Sequence, residues 1–324
     1  MTHRRRLAAL AVLAALALPP LATTAQPAQK PVRIVVGFTP AGAADFVARG
    51  LAEHMGRALG RSMIVDNRPG AGSSLAAELV ARAAADGLTL FVASPSSQMV
   101  NPAMRKVGYD PLKDFTPITL LTTAPLVVAV PPQSGIRSLK DLVAEAKKRP
   151  GTLHYASAGP GSAPHLAGAA FVRAAGIDMI HVPFKGGAPA IQSVMAGDTQ
   201  LTFGTPPTVL PQAASGRLRA IAVTSRKRAA ALPDLPGTEE SGLPEYEMRF
   251  WYGLYAPAGL PAEVVRSYFQ AATQAMSQPE LRRLLAREGM DAIVSRSPEA
   301  FAAEQAKEAT YWARVVRESG ATSE

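Results

Sequence analysis

The chain has 324 residues, a formal net charge of +9 and no cysteine. The missing thiols exclude a disulfide framework, a cysteine nucleophile and a cysteine-bound metal. The basic residues (among them Arg57, Arg61, Arg82, Arg105, Arg173, Arg217 and Arg226) are scattered, without the clustering or interleaved aromatics of a nucleic-acid stripe, and read as a solvated surface mildly favourable to anions.

Arg4, Arg5 and Arg6 form a basic start, Leu7 to Leu18 an apolar run, and small residues around Thr23 and Ala25 a cleavage site before Gln26. This is the pattern of a secretory signal over residues 1–25, cut near Ala25, and it predicts a periplasmic protein. Twelve apolar residues are too few for a retained membrane anchor. The Arg4-Arg5 pair also allows a twin-arginine route. Removing three arginines lowers the net charge from +9 to +6. No later segment is apolar enough to cross a membrane. About 300 mature residues exceed one small core and predict two domains.

Val32 to Val36 reads as a buried strand, followed by the small-residue loop Gly37-Phe38-Thr39-Pro40-Ala41-Gly42-Ala43 and a helix to about Leu59. The free N–H groups of such a helix start carry roughly half a positive charge and accept a carboxylate or phosphate. Ser62 to Asp66 is the second strand, with the turn Asn67-Arg68-Pro69-Gly70-Ala71-Gly72 after it. Ser73 or Ser74 then caps a helix to about Ala85. Leu88 to Ala93 is the third strand, ending at Ser94. Strands alternating with helices predict α/β layers, with ligands outside the carboxyl ends of the strands.

A second rhythm follows the apolar stretch Phe115 to Val130. A helix over 139–148 leads to a strand at 153–157, the loop Ala158-Gly159-Pro160-Gly161-Ser162, and a helix from about Pro164, where proline suits the first turn. Met179 to Pro183, Gln200 to Phe203 and Leu218 to Thr224 supply further strands. The strand–glycine loop–helix device thus occurs twice, and two such devices can close on one anion. From Trp251 the chain returns to strand, then to helices from Pro261, Pro279 and Pro298, and this tail is expected to complete the first domain. Crossovers near 121–128 and 225–250 would form the hinge.

Eight segments in order carry a resemblance. They are Gly37-Phe38-x-Pro40-x-Gly42-x-x-Asp45, Asn67 to Gly72, Asp86-Gly87-x-Thr89-Leu90, Tyr109-Asp110-Pro111-x-x-Asp114-Phe115, Tyr155-Ala156-Ser157-x-Gly159-x-Gly161-Ser162-x-x-His165-Leu166, His181 to Gly186, Leu218 to Ser225, and Trp251 to Leu254 with Ala256 to Gly259. Together they resemble the Bug (TctC-type) periplasmic solute-binding proteins over nearly the whole mature chain. The resemblance implies a two-domain type II periplasmic binding-protein fold, α/β, with mixed sheets flanked by helices and a ligand cleft at the hinge. Domain 1 is then 26–126 plus 248–324, and domain 2 is 127–247.

What the resemblance implies for function is a receptor, not an enzyme, that captures a small carboxylate: a di- or tricarboxylate, an acidic amino acid or an aromatic acid. Its partners are the membrane subunits of a tripartite tricarboxylate-type transporter. A sensor role beside a membrane kinase is the alternative. No cofactor, metal or nucleic acid is expected, and the protein is expected to be a monomer. Carried over by position, the first loop gives Phe38, Thr39, Pro40, Ala41, Gly42, Ala43 and Asp45, and the second gives Ser157, Ala158, Gly159, Gly161, Ser162 and His165. Ser94, Lys185 and Thr205 are expected to face the same cleft. The family often has two glycines where this chain has Ala41-Gly42, proline at Thr39, glutamate at Ala169 and aspartate at Gly204. Losing that aspartate is expected to leave a more positive and more open site.

Other readings of these residues carry less. Ser162 and His165 suggest a nucleophile and base, as in a serine hydrolase or transferase, yet no orienting acid accompanies them, and a helix cap explains Ser162 better. His154, His165 and His181 lie on separate elements without metal-ligand spacing. Asp45 either complements the helix dipole, braces the loop or meets ligand.

Overall fold

Val32-Arg33-Ile34-Val35-Val36 forms the strand β1 (Val32–Val36), and its four aliphatic residues are fully buried. A β-branched run covered on both faces is what the centre of a parallel sheet requires. In this computed structural model residues 30–321 are described, so the export signal and its expected cleavage near Ala25 lie outside the described residues. β1 pairs in parallel with β2 (Met63–Asn67) and β3 (Thr89–Ala93). Between β1 and β2 runs α1 (Ala43–Leu59), which buries Val47, Leu51 and Met55 four residues apart and stops at Gly60 in the left-handed conformation.

The second helix differs from expectation. It is α2 (Ser74–Ala81), ending short of Ala85, and a turn in which Asp86 Oδ1 accepts the Leu88 N–H then aims the chain into β3. Ser73 sits at φ 74° and makes no capping bond. Its side chain instead lies against Gly37, where a Cβ would be 1.8 Å from Ser73 Oγ. A tight turn at 96–100 leads into the short α3 (Asn101–Met104).

The apolar stretch 115–130 divides into β4 (Phe115–Pro125) and β5 (Val127–Val130), which belong to different sheets. The chain changes lobes at Leu126. The second lobe continues with α4 (Leu139–Lys148), β6 (His154–Ser157), α5 (Ala163–Ala175), β7 (Ile180–Pro183), α6 (Gly187–Ala196), β8 (Leu201–Gly204), α7 (Pro206–Ala214) and β9 (Arg219–Val223). Its sheet order is β7-β6-β8-β5-β9, with β6 parallel to both neighbours and β5 antiparallel to both of its own. Helices α6 and α7 are not among the elements expected from the sequence, and they begin at Gly186-Gly187 and Pro206-Pro207. Proline without an N–H fits the first turn of a helix, and here it starts one.

The chain returns through β10 (Arg249–Pro257), inserted antiparallel between β3 and β4. Then follow α8 (Ala262–Ser277), α9 (Pro279–Arg287), the edge strand β11 (Asp291–Ala292) and α10 (Pro298–Ser319). The first sheet is therefore β11-β4-β10-β3-β1-β2. An aromatic cluster of Phe91, Phe115, Tyr255 and Phe301 fills this lobe, and Tyr155, Phe171, Phe203 and Tyr246 fill the second. Residues from Pro31 onward form one compact unit.

Thr224 ties the two lobe-to-lobe passages together. Its Oγ1 accepts the Leu126 N–H at 2.8 Å and donates to the Met248 carbonyl at 2.6 Å. Its backbone N–H donates to the Leu126 carbonyl, and its carbonyl accepts the Met248 N–H. One buried threonine thus registers both passages.

Candidate functional site

Between the lobes lies a cavity, partly continuous with solvent. From the first lobe, Phe38, Gly42, Ala43 and Ala44 reach it from the first loop and α1, Ser94 and Ser96 from the end of β3, and Phe250 and Tyr252 from β10. From the second lobe come Ala158, Ala163 and Pro164 at the start of α5, Gly187, Ala190 and Ile191 on α6, Thr202 and Gly204 on β8, and Thr205 and Thr208 at the start of α7. No charged side chain lines this cavity among the described residues.

Four helices therefore begin at the cavity wall, but they do not offer equal donors. The first N–H groups of a helix have no intrahelical acceptor. In α1 Gly42 supplies no side-chain cap, so the N–H groups of Ala43 and Ala44 remain available. In α6 Gly186 likewise supplies none, leaving those of Gly187 and Ala188. In α5 Pro164 has no N–H, and Ser162 Oγ accepts that of His165 at 3.3 Å. In α7 Pro206 and Pro207 have none, and the Thr208 N–H goes to the Thr205 carbonyl.

The hydroxyls differ in the same way. Thr202 Oγ1 donates to the Ala156 carbonyl and Thr208 Oγ1 to that of Thr205. Ser94 Oγ, on a residue 5% exposed, has no partner among the described residues. Burial holds the Tyr252 hydroxyl well above its ordinary pKa, so it stays a neutral donor.

The loop geometry is set from outside the cavity. Asn67 Nδ2 donates to the Phe38 carbonyl at 3.0 Å. Ala41 takes the left-handed conformation at φ 61°, and its N–H donates to Asp45 Oδ2 at 3.0 Å. Arg49 Nε donates to the same oxygen at 2.8 Å. Burial acts to raise the Asp45 pKa, but the bonds from Arg49, Ala41 and Asn67 outweigh it and hold the carboxyl ionised. Asp45 thus braces the loop.

The second loop rests on two histidines. Gly161 N–H donates to His165 Nδ1 at 3.1 Å, and Ser157 Oγ lies 2.6 Å from His181 Nε2 while accepting the Gly159 N–H at 3.1 Å. The two imidazoles stack with centroids 3.9 Å apart. Burial lowers the His165 pKa to about 4, and burial with the neighbouring His165 lowers that of His181 to about 3. Both rings are neutral at physiological pH. His165 Nδ1 is bonded to backbone and Ser162 caps α5, so the pair is occupied in loop structure.

Of the residues expected at the cleft, Phe38, Gly42, Ala43, Ser94, Ala158 and Thr205 lie on the cavity wall. Gly159 and Lys185 line a separate opening, which Phe38 and Ala158 share. Pro40 and Ala41 are exposed and off the wall, and Thr39 turns its buried Oγ1 towards Gly186. Ser157, Gly161, Ser162, His165 and Asp45 hold the loops from behind. The sequence reading did not place Ala44, Ser96, Phe250, Tyr252 or the α6 residues here, because their approach depends on pairing between distant strands. Gly204 is on the wall, but the position is not left open: a Cβ there would meet Val209 Cγ2 at 2.6 Å. No cluster suited to a metal ion occurs among the described residues.

The lobes touch around the cavity. A Cβ on Gly72 would lie 2.3 Å from the Pro160 carbonyl oxygen, and one on Gly161 2.5 Å from Asn101 Oδ1. Both contacts join first lobe to second, and Asn101 also donates to the carbonyls of Gly72 and Ser96.

The profile of the Tripartite tricarboxylate transporter family receptor matches residues 47–320. The periplasmic binding protein BugD has a similar structure, at 32% identity and TM-score 0.86, over 91% of this chain and 99% of that one. An R. palustris protein solved with adipate is 31% identical at TM-score 0.87, over 92% and 99% of the two chains. MatC from Rhodopseudomonas palustris, solved with bound malate, is 32% identical at TM-score 0.82, over 88% and 98%. These are solute-binding proteins, not enzymes, and the chain belongs to the tripartite tricarboxylate transporter receptor family.

Proposed function

We propose that this protein captures a small carboxylate in the cavity between its lobes and presents it, in the periplasm, to the membrane subunits of a tripartite transporter. The observation that carries the reading is Ser94 Oγ, a buried hydroxyl without a partner on the same wall as the open N–H groups of Ala43 and Ala44. A carboxylate would satisfy all three, and the start of α1 adds a favourable dipole. The adipate and malate held by relatives of similar structure support the same chemistry. Closure over the ligand brings the N–H groups of α6 to the other side, so the closed form is selected by binding.

The test is a thermal-shift screen of refolded protein against hexanoate, benzoate, adipate and malate, each beside its amide. A ligand held only by the folded state raises the melting temperature with concentration. Stabilisation by at least one acid and not by its amide is expected. Equal stabilisation by acid and amide would remove the carboxylate from the reading.

A further inference from the structure

Phe250 and Tyr252 stand two residues apart on β10, so both turn to the same face, onto the cavity wall. Their rings meet edge to face at 5.4 Å. β10 runs antiparallel to β3 with Gly253 paired to Ala93, and the next step of that register sets Tyr252 beside Ser94. A serine carries its hydroxyl one bond beyond Cβ, whereas a tyrosine carries it on the far side of a ring. With a carboxylate seated against Ser94 and the start of α1, the Tyr252 hydroxyl therefore faces the body of the ligand, not its head.

That hydroxyl is uncommitted. Tyr109, Tyr246 and Tyr268 are also buried, and they donate to the carbonyls of Ser97, Ala167 and Gly87. Tyr252 is 5% exposed, has no hydrogen-bond partner among the described residues, and opens onto the cavity. Across the cavity, Thr202 and Thr208 give their hydroxyls to carbonyls, and Thr205 Oγ1 lies 3.2 Å from that of Thr208. A ligand that covers a buried donor without offering an acceptor strips it of water and leaves it unpaired. A ligand oxygen at that point restores the bond, so the wall discriminates in its favour.

We propose that Tyr252 is a specificity-determining residue, whose hydroxyl donates to a second oxygen acceptor on the body of the captured acid. This rests on the carboxylate reading above and narrows it. The ligand class is an acid carrying a hydroxyl, carbonyl or further carboxylate oxygen away from its head.

The test is calorimetric titration of refolded protein at pH 7.5, parent and Tyr252→Phe, with hexanoate, 5-oxohexanoate, 6-hydroxyhexanoate, adipate and hexanamide. Phe250 shows that the wall takes a ring without a hydroxyl, and circular dichroism checks the fold of the variant. In the parent, at least one oxygenated acid is expected to bind about tenfold or more tightly than hexanoate, from the cost of an unpaired buried donor. Tyr252→Phe should cut that advantage to less than about threefold. An advantage that survives in the variant overturns the assignment; if affinity for every acid falls equally, the hydroxyl serves the head instead. Oxygenated acids no better than hexanoate in the parent also overturn it. Hexanamide binding as tightly as hexanoate overturns the carboxylate reading, whereas the role of Tyr252 is decided separately, by the oxygenated acids.

Discussion

The N–H of Ala41 donates to the carboxylate of Asp45 at 3.0 Å, tying the first cleft loop to the first turn of the helix that follows it. The bond holds Ala41 in the left-handed region, which costs a non-glycine residue roughly 1 kcal/mol. Asp45→Ala should therefore lower unfolding stability by about 1–3 kcal/mol. Ala41→Gly should raise it by about 0.5–1 kcal/mol, since relieved strain exceeds the added freedom of the unfolded chain. Urea denaturation checks both. An Asp45→Ala variant of unchanged stability would mean that the loop holds itself.

Gly161 has φ 70° and faces Asn101 of the other lobe. Gly161→Val strains the backbone and drives a side chain into Asn101, so the lobes cannot reach their closed contact. The variant should remain folded by circular dichroism yet lose ligand-induced stabilisation. Small-angle scattering should give a larger radius of gyration in the presence of hexanoate than for the parent protein. An unaltered radius and shift would mean that closure does not pass through this contact.

The stacked His165–His181 pair makes stability depend on pH. Both folded-state pKa values are depressed, to about 4 and about 3, against about 6.5 in the unfolded chain. The unfolded state thus binds more protons below pH 6.5. The stability from burying neutral rings is full above that value and lost progressively as pH falls towards 4 and 3. Asp45, also depressed, adds a loss of the same sign at more acid pH, below about 4. The melting temperature should fall between pH 7 and 5, and His181→Asn should flatten that slope. Parent and variant curves of equal slope would assign the pH dependence elsewhere.

Glu308 Oε2 accepts the indole N–H of Trp251 at 2.9 Å and that of Trp312 at 2.8 Å, linking β10 to α10. These are the chain's two tryptophans. Glu308→Leu leaves both buried donors unpaired and should cost about 2–6 kcal/mol, at 1–3 kcal/mol per group. Glu308→Gln keeps an acceptor and should cost less than half as much. Denaturation followed by tryptophan fluorescence distinguishes them, and equal losses would mean that packing, not the bonds, matters.

Much of this was legible in the sequence because it is local. The β-branched run of β1, the small residues of its loop and Pro164 in the first turn of α5 are each set by neighbours in the chain. Ser94 followed from its place at the end of a strand. The α6 and α7 starts were not legible, since Gly186-Gly187 and Pro206-Pro207 fit a loop as well as a helix beginning. The approach of Phe250 and Tyr252 depends on inserting β10 between β3 and β4. The His165–His181 stack likewise arises only when α5 packs beside β7. Asp45 had three readings, and only the position of the Ala41 N–H separates them.

The central claim is that backbone N–H groups from both lobes and Ser94 receive one carboxylate. Titrating uniformly ¹⁵N-labelled, refolded protein with hexanoate, and following the amide resonances by transverse-relaxation-optimised NMR, tests it most directly. Saturable downfield shifts should centre on Ala43, Ala44 and Gly187, be absent with hexanamide, and weaken in Ser94→Ala. Shifts of these amides that are the same for the acid and the amide, or saturable shifts centred on other residues, would contradict the account.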